Sequence, residues 1–90
     1  MRVAAQIRTK LTQAFHPEHL EIIDESSRHA GHAGARPGGE THFRIVITAA
    51  AFRGLGRLQR QRLVYAALAE EMSNPVHALS LVTRAPGEAR

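Results

Sequence analysis

The chain has 90 residues, a net charge of +4 with neutral histidines, and a hydrophobic content of 43%. This length predicts one domain over residues 1–90, with an ordered core over about residues 3–84 and a frayed tail over 85–90. No apolar run approaches the ~20 residues that cross a bilayer, so we expect no membrane contact. Because the chain has no cysteine, it offers neither a disulfide nor a thiolate ligand.

The spacing of apolar residues predicts five elements. These are a helix over residues 3–15, strands over 20–24 and 42–48, a helix over 57–72, and a strand over 76–83. In the first helix, Val3, Ile7 and Leu11 form one apolar stripe. That helix should end at His16, because the residue before a proline avoids helical geometry.

The order helix, strand, strand, helix, strand predicts an α+β fold. The first two strands are adjacent in sequence and should pair antiparallel. The last two strands are joined by a helix, so they should pair parallel through a right-handed crossover. The expected architecture is a three-stranded mixed sheet with both helices packed on one face.

A long segment over residues 26–42 separates the first two strands. It holds three of the six histidines and four of the seven glycines, whereas a tight hairpin needs only about two to five loop residues. Because imidazole is the commonest protein ligand for metals, we interpret this loop as a metal-ligand arm. His29 or His32 would be its donor, and a mobile loop with solvated histidines is the alternative.

His77 opens the third strand and is the other candidate ligand. Parallel pairing of the last two strands would bring its end of the strand close to the end where the loop returns. The alternative is a half-buried structural histidine on the strand face of Leu79 and Leu81. Two histidines cannot close a four-ligand site, so a partner molecule would have to supply the remaining ligands.

Four arginines, Arg53, Arg57, Arg60 and Arg62, surround a glycine turn and the start of the second long helix. Basic groups beside a helix N-terminus suit phosphate, so this surface suggests nucleic-acid binding. The alternative is a solvated helix face. The sequence carries no cysteine nucleophile, phosphate-cradling glycine motif or paired-histidine zinc motif, so we predict that the protein is not an enzyme.

Five stretches together resemble the BolA family, and the resemblance covers about residues 3 to 84. They are IRTKL at 7–11, LEIIDES at 20–26, ETHF at 40–43, RQRLVYAALAEEM at 60–72 and PVHAL at 75–79. The resemblance implies a KH-like αββαβ fold without a GxxG loop, and no catalysis. It also implies that the chain pairs with a CGFS monothiol glutaredoxin and shares a 2Fe–2S cluster with it, in iron–sulfur trafficking or iron regulation.

The resemblance implies a ligand from this chain at His77 and a second in the loop. His29 matches the loop ligand by its offset from Glu25, and His32 is its rival. The glutaredoxin would bring a cysteine and glutathione, and the isolated chain would be a monomer without a cluster. Other members of the family regulate transcription by binding DNA, here through Arg53, Arg57, Arg60 and Arg62. The expected location is the bacterial cytoplasm, or the mitochondrial matrix in a eukaryote.

Overall fold

The computed structural model of the chain describes residues 2–25, 42–73, 76 and 78–88. In chain order the elements are helix α1 (Arg2–Phe15), strand β1 (His19–Asp24), strand β2 (His42–Thr48), a short 3₁₀ turn (Ala50–Phe52), helix α2 (Arg57–Ala67), helix α3 (Ala69–Ser73) and strand β3 (Ala78–Arg84). The α+β class is therefore confirmed, while the KH-like label stays a prediction. Within the described residues, no helix is long and apolar enough to span a bilayer.

The helix predicted over 57–72 is divided at Leu68. The Leu68 N–H is shared by the carbonyls of Val64 and Tyr65, at 3.1 and 3.2 Å, which tightens the last turn of α2. The Leu68 side chain is fully buried. The flanking residues are alanines, which favour helix, and no glycine or proline lies nearby, so the local sequence carries no signal for this break.

The sheet has the predicted order and directions, with β2 in the centre. Strand β1 pairs antiparallel with β2, placing Leu20 opposite Ile47. Strand β3 pairs parallel with β2, placing Leu81 opposite Ile45. Since directly opposed residues share a sheet face, these side chains form one apolar surface.

Both long helices cover that surface, as predicted. Its centre is formed by Phe43, Ile45 and Ile47, and burial of each such side chain stabilises the fold by about 1.5–3 kcal/mol. The helices and the 3₁₀ turn contribute Val3, Ile7, Leu11, Phe52, Val64 and Leu68. The hydrophobic core therefore lies on one side of the sheet.

The segment after β3 departs from the expected frayed tail. Ala85 is buried, and the Glu88 carboxylate accepts two hydrogen bonds from the Arg60 guanidinium, at 2.7 and 2.8 Å. The Ala85 N–H also donates to this carboxylate, at 2.8 Å. Two charge-assisted hydrogen bonds therefore hold Glu88 against α2, and the third closes the turn over residues 85–88, while residues 89 and 90 lie outside the described range.

The Glu88 contact should make stability depend on pH at the acid end. The Arg60 guanidinium and the Ala85 N–H lower the Glu88 pKa from 4.5 to about 2. The contact therefore stabilises the folded state fully at pH values above the ordinary carboxyl pKa of 4.5, and this stabilisation is lost as the pH falls through about 2. We expect Glu88→Gln to lower the urea midpoint of unfolding at pH 7, and the difference to vanish toward pH 2.

The matched control is Glu18→Gln, since Glu18 is exposed. It should leave the midpoint unchanged over the same pH range. A Glu88→Gln deficit that is absent at pH 7, or that persists undiminished at pH 2, would contradict the assigned contact.

Candidate functional site

One end of the sheet collects the chain segments that lead to the candidate ligands. The Glu25 N–H donates to the His42 carbonyl at 2.7 Å, so residues 26–41 leave and return at the same point. His42 lies opposite Ala78 in the parallel pair. The end of β1 and the starts of β2 and β3 therefore meet at what we call the ligand end of the sheet.

The backbone on both sides of position 77 is anchored. The buried Val76 donates its N–H to the Glu71 carbonyl at 2.9 Å, and Ala78 pairs with β2. His29, His32 and His77 themselves lie outside the described residues, so their approach to one another stays a prediction. Within the described part, no three histidine, aspartate or glutamate side chains are grouped to hold a metal ion.

A charged cluster ties α3 to α1. The Lys10 ammonium contacts Glu70 at 2.7 Å and Glu71 at 2.9 Å. The hydrogen bonds that Lys10 donates to Glu70 and Glu71 raise the pKa of Lys10, and the one that Glu70 accepts from Lys10 lowers the pKa of Glu70. Because Glu71 also binds Val76 through its carbonyl, this cluster fixes the approach of the chain to β3.

The predicted arginine surface needs one correction. Arg53, Arg57 and Arg62 are exposed, whereas Arg60 is only 9% exposed. Helix α2 begins at Arg57, so Arg53 lies on the preceding turn, where Gly54 adopts a positive φ of 75°. Arg53, Arg57 and Arg60 therefore do not share one helical face, and Arg60 does not belong to the exposed basic surface.

Arg60 instead joins three parts of the fold. Its Nε donates to the Leu55 carbonyl at 2.9 Å, and its Nη1 donates to the Thr83 carbonyl at 3.3 Å. The hydrogen bond to Glu88 raises the Arg60 pKa. A sequence signal for this role was available, because residue 60 stands four residues before Val64 and eight before Leu68, on the buried stripe of the helix.

The two classes of arginine should differ in their effect on stability. Arg60→Gln removes the guanidinium that donates to the Leu55 and Thr83 carbonyls and to the Glu88 carboxylate, so we expect a clear fall in the thermal midpoint. The matched change Arg62→Gln, on the exposed side of the same helix, should leave the midpoint unchanged. Equal midpoints for the two variants in thermal denaturation would rule out the inward role of Arg60.

The fold is similar to solved BolA domains. It matches the BolA domain of SufE1 from Arabidopsis thaliana with a TM-score of 0.86 and 41% identity, covering 96% of this chain and 94% of that one. The family described as BolA-like protein matches residues 11–88. The chain therefore belongs to the BolA-like protein family.

Two curated relatives show how far the likeness extends. The chain is 52% identical over 86 residues to BolA-like protein 1 from Bos taurus, covering 96% of this chain and 61% of the relative. It is 45% identical over 83 residues to the DNA-binding transcriptional regulator BolA from Escherichia coli, covering 92% and 75%. The chain thus spans about three-fifths of the mammalian relative's length.

Proposed function

We propose that the protein is a non-enzymatic adaptor that pairs with a CGFS monothiol glutaredoxin and shares a 2Fe–2S cluster with it, in iron–sulfur trafficking or iron regulation. The supporting observation is the ligand end of the sheet. There, the Glu25–His42 hydrogen bond closes the base of the histidine loop. The His42–Ala78 pair places the start of β3 beside that base. The histidine loop and the start of β3 are therefore neighbours, although they are far apart in the sequence.

The donor chemistry of the chain fits a shared cluster. The chain contains no cysteine, so its donors to iron would be imidazoles, His77 and one histidine of the loop. The glutaredoxin cysteine and glutathione would complete the ligand set. Replacing two thiolates on one iron by two imidazoles raises the cluster potential, and ligation requires the neutral imidazole. The cluster would be cargo held between two proteins.

Tether length favours His29 over His32 as the loop donor. Position 29 is four residues from Glu25, and position 32 is seven residues from it. At ~3.5 Å per extended residue, the first tether reaches about 14 Å and the second about 25 Å. The shorter tether confines its histidine to a smaller volume around the ligand end, which raises its effective concentration there.

Substitution of the candidate ligands tests the adaptor proposal. The complex would be reconstituted from this protein, a CGFS monothiol glutaredoxin, glutathione, iron and sulfide. We expect His77→Ala to abolish or strongly alter its visible absorption and circular dichroism, because an anchored ligand is removed. His29→Ala should have the same effect, and His32→Ala a smaller one.

A histidine at the other end of the sheet supplies the matched control. His19 pairs with Thr48 and contacts the Glu21 carboxylate at 2.6 Å, so His19→Ala should leave the spectra unchanged. The proposal fails if His77→Ala forms a complex with the spectrum of the unsubstituted protein. A spectrum altered by His32→Ala and not by His29→Ala would reverse only the choice of loop donor.

A second candidate function is DNA binding, favoured by the name of the bacterial relative and by an exposed basic surface. Arg53, Arg57 and Arg62 are exposed, and residues 42–69 contain no aspartate or glutamate. A surface of this charge neutralises phosphates and releases counterions. Arg60 is left out of this surface because its guanidinium is engaged within the fold.

DNA binding through this surface predicts a salt signature. In a fluorescence titration of duplex DNA, Arg53→Ala with Arg62→Ala should weaken binding and flatten the plot of log affinity against log salt, by about 0.9 for each phosphate that is no longer neutralised. The matched control is Arg8→Ala, an exposed arginine of α1, which should change neither quantity. No binding of the unsubstituted protein at low salt would exclude this function.

A further inference from the structure

We propose that the outer edge of β3 binds an extended acidic segment of a partner protein, which adds to the sheet as a fourth strand. This proposal does not depend on cluster sharing, and it shares only Arg57 with the surface of the DNA-binding candidate. It rests on a strand edge left open in the described part of the fold, on a groove beside that edge, and on an arginine in the groove.

The open edge follows from the hydrogen-bond pattern of β3. The Ala49 N–H donates to the Arg84 carbonyl at 3.0 Å, so the peptide group of Arg84 faces β2. Backbone groups alternate in direction along a strand, so those of Leu79, Leu81 and Thr83 face outward. The described sheet ends at β3. Of these outward groups the Thr83 carbonyl is engaged, by Arg60.

The two edges of the sheet differ in protection. Natural proteins block edge pairing with charged side chains, and β1 carries Glu21 and Asp24 along its six residues. Strand β3 has no charged residue from Ala78 through Thr83. An unpaired strand edge without charged residues promotes aggregation of the free chain. A role as a binding surface would explain why β3 lacks these protective charges.

A groove of about 420 Å³ runs between this edge and the start of α2. It is lined by Leu55, Arg57, Arg60, Leu81, Val82 and Thr83. Leu55 and Val82 are half-buried and give it apolar walls. Addition of a peptide strand beside a helix uses this combination, with main-chain hydrogen bonds for affinity and side-chain contacts for specificity.

The charge of the groove selects the partner. Arg57 is exposed and has no ion pair within the described residues, whereas Arg60 is neutralised by Glu88. The run from residue 42 to 69 contains no acidic residue to pair with Arg57. The complementary ligand is therefore an extended segment with alternating apolar side chains and a carboxylate that reaches Arg57.

This groove lies away from the ligand end of the sheet. Strand β3 begins at Ala78 beside His42, and the groove involves residues 81–83. At about 3.3 Å per residue, the groove begins about 10 Å further along the strand. The carboxylate contact at Arg57 therefore lies away from the ligand end, whereas a peptide paired along the whole edge reaches Leu79, one residue from Ala78.

The test uses nuclear magnetic resonance with the full chain labelled with ¹⁵N. The probes are synthetic octapeptides that alternate valine and threonine, with one glutamate placed at each position in turn. Peptides with the glutamate in register should shift the amide signals of Leu79, Leu81, Thr83 and Arg57 and slow exchange of the three strand amides. Arg57→Gln should weaken that binding about two- to fivefold, and the control Arg62→Gln should leave it unchanged.

Four results would overturn the proposal. One is that no peptide of the panel shifts the β3 amides at millimolar concentration. A second is equal binding by a peptide N-methylated at alternate residues, since such a peptide cannot pair its backbone along the edge. A third is a concentration-dependent shift of the same amides without peptide, which would assign the edge to a second copy of the chain. The last is that duplex DNA shifts these amides and no peptide does.

Discussion

The parallel pairing of β2 with β3 is the contact on which both candidate sites depend. Its register puts Ala78 beside His42, so the crossover through α2 and α3 returns the chain to the base of the histidine loop. The strand order also makes β3 an edge strand of the described sheet, so the backbone groups on its outer side face away from β2. An antiparallel β3 would bring its other end to the loop and separate position 77 from it.

A second constraint holds the opposite end of this strand. Arg60 bonds the Leu55 carbonyl before α2, the Thr83 carbonyl near the end of β3, and the Glu88 carboxylate beyond it. A buried guanidinium needs acceptors for its N–H groups. The two carbonyls and the Glu88 carboxylate accept four hydrogen bonds from Arg60, and Glu88 neutralises its charge. The consequence for function is that Arg60 fixes the groove geometry, while Arg57 beside it remains accessible to a ligand.

Most of the fold could be predicted from periodicity, since helix α1 and strand β2 show regular spacing of three, four or two residues. The division of α2 from α3 could not, because Leu68 lies among strong helix formers and no helix-breaking residue marks the position. The Arg60–Glu88 pair was missed for a different reason. Its members are 28 residues apart in the sequence. An arginine near the start of a helix also suggests a phosphate-binding residue more readily than a buried one. The stripe shared with Val64 and Leu68 was the available signal.

The two partners that we propose would bind at different parts of β3. At the ligand end, the proposed donors are one loop histidine and His77, so binding there would depend on a partner that completes the metal site. At the groove, the chain contributes backbone donors and the exposed Arg57, so binding there depends on an extended acidic segment. The chemistries do not compete for the same residues.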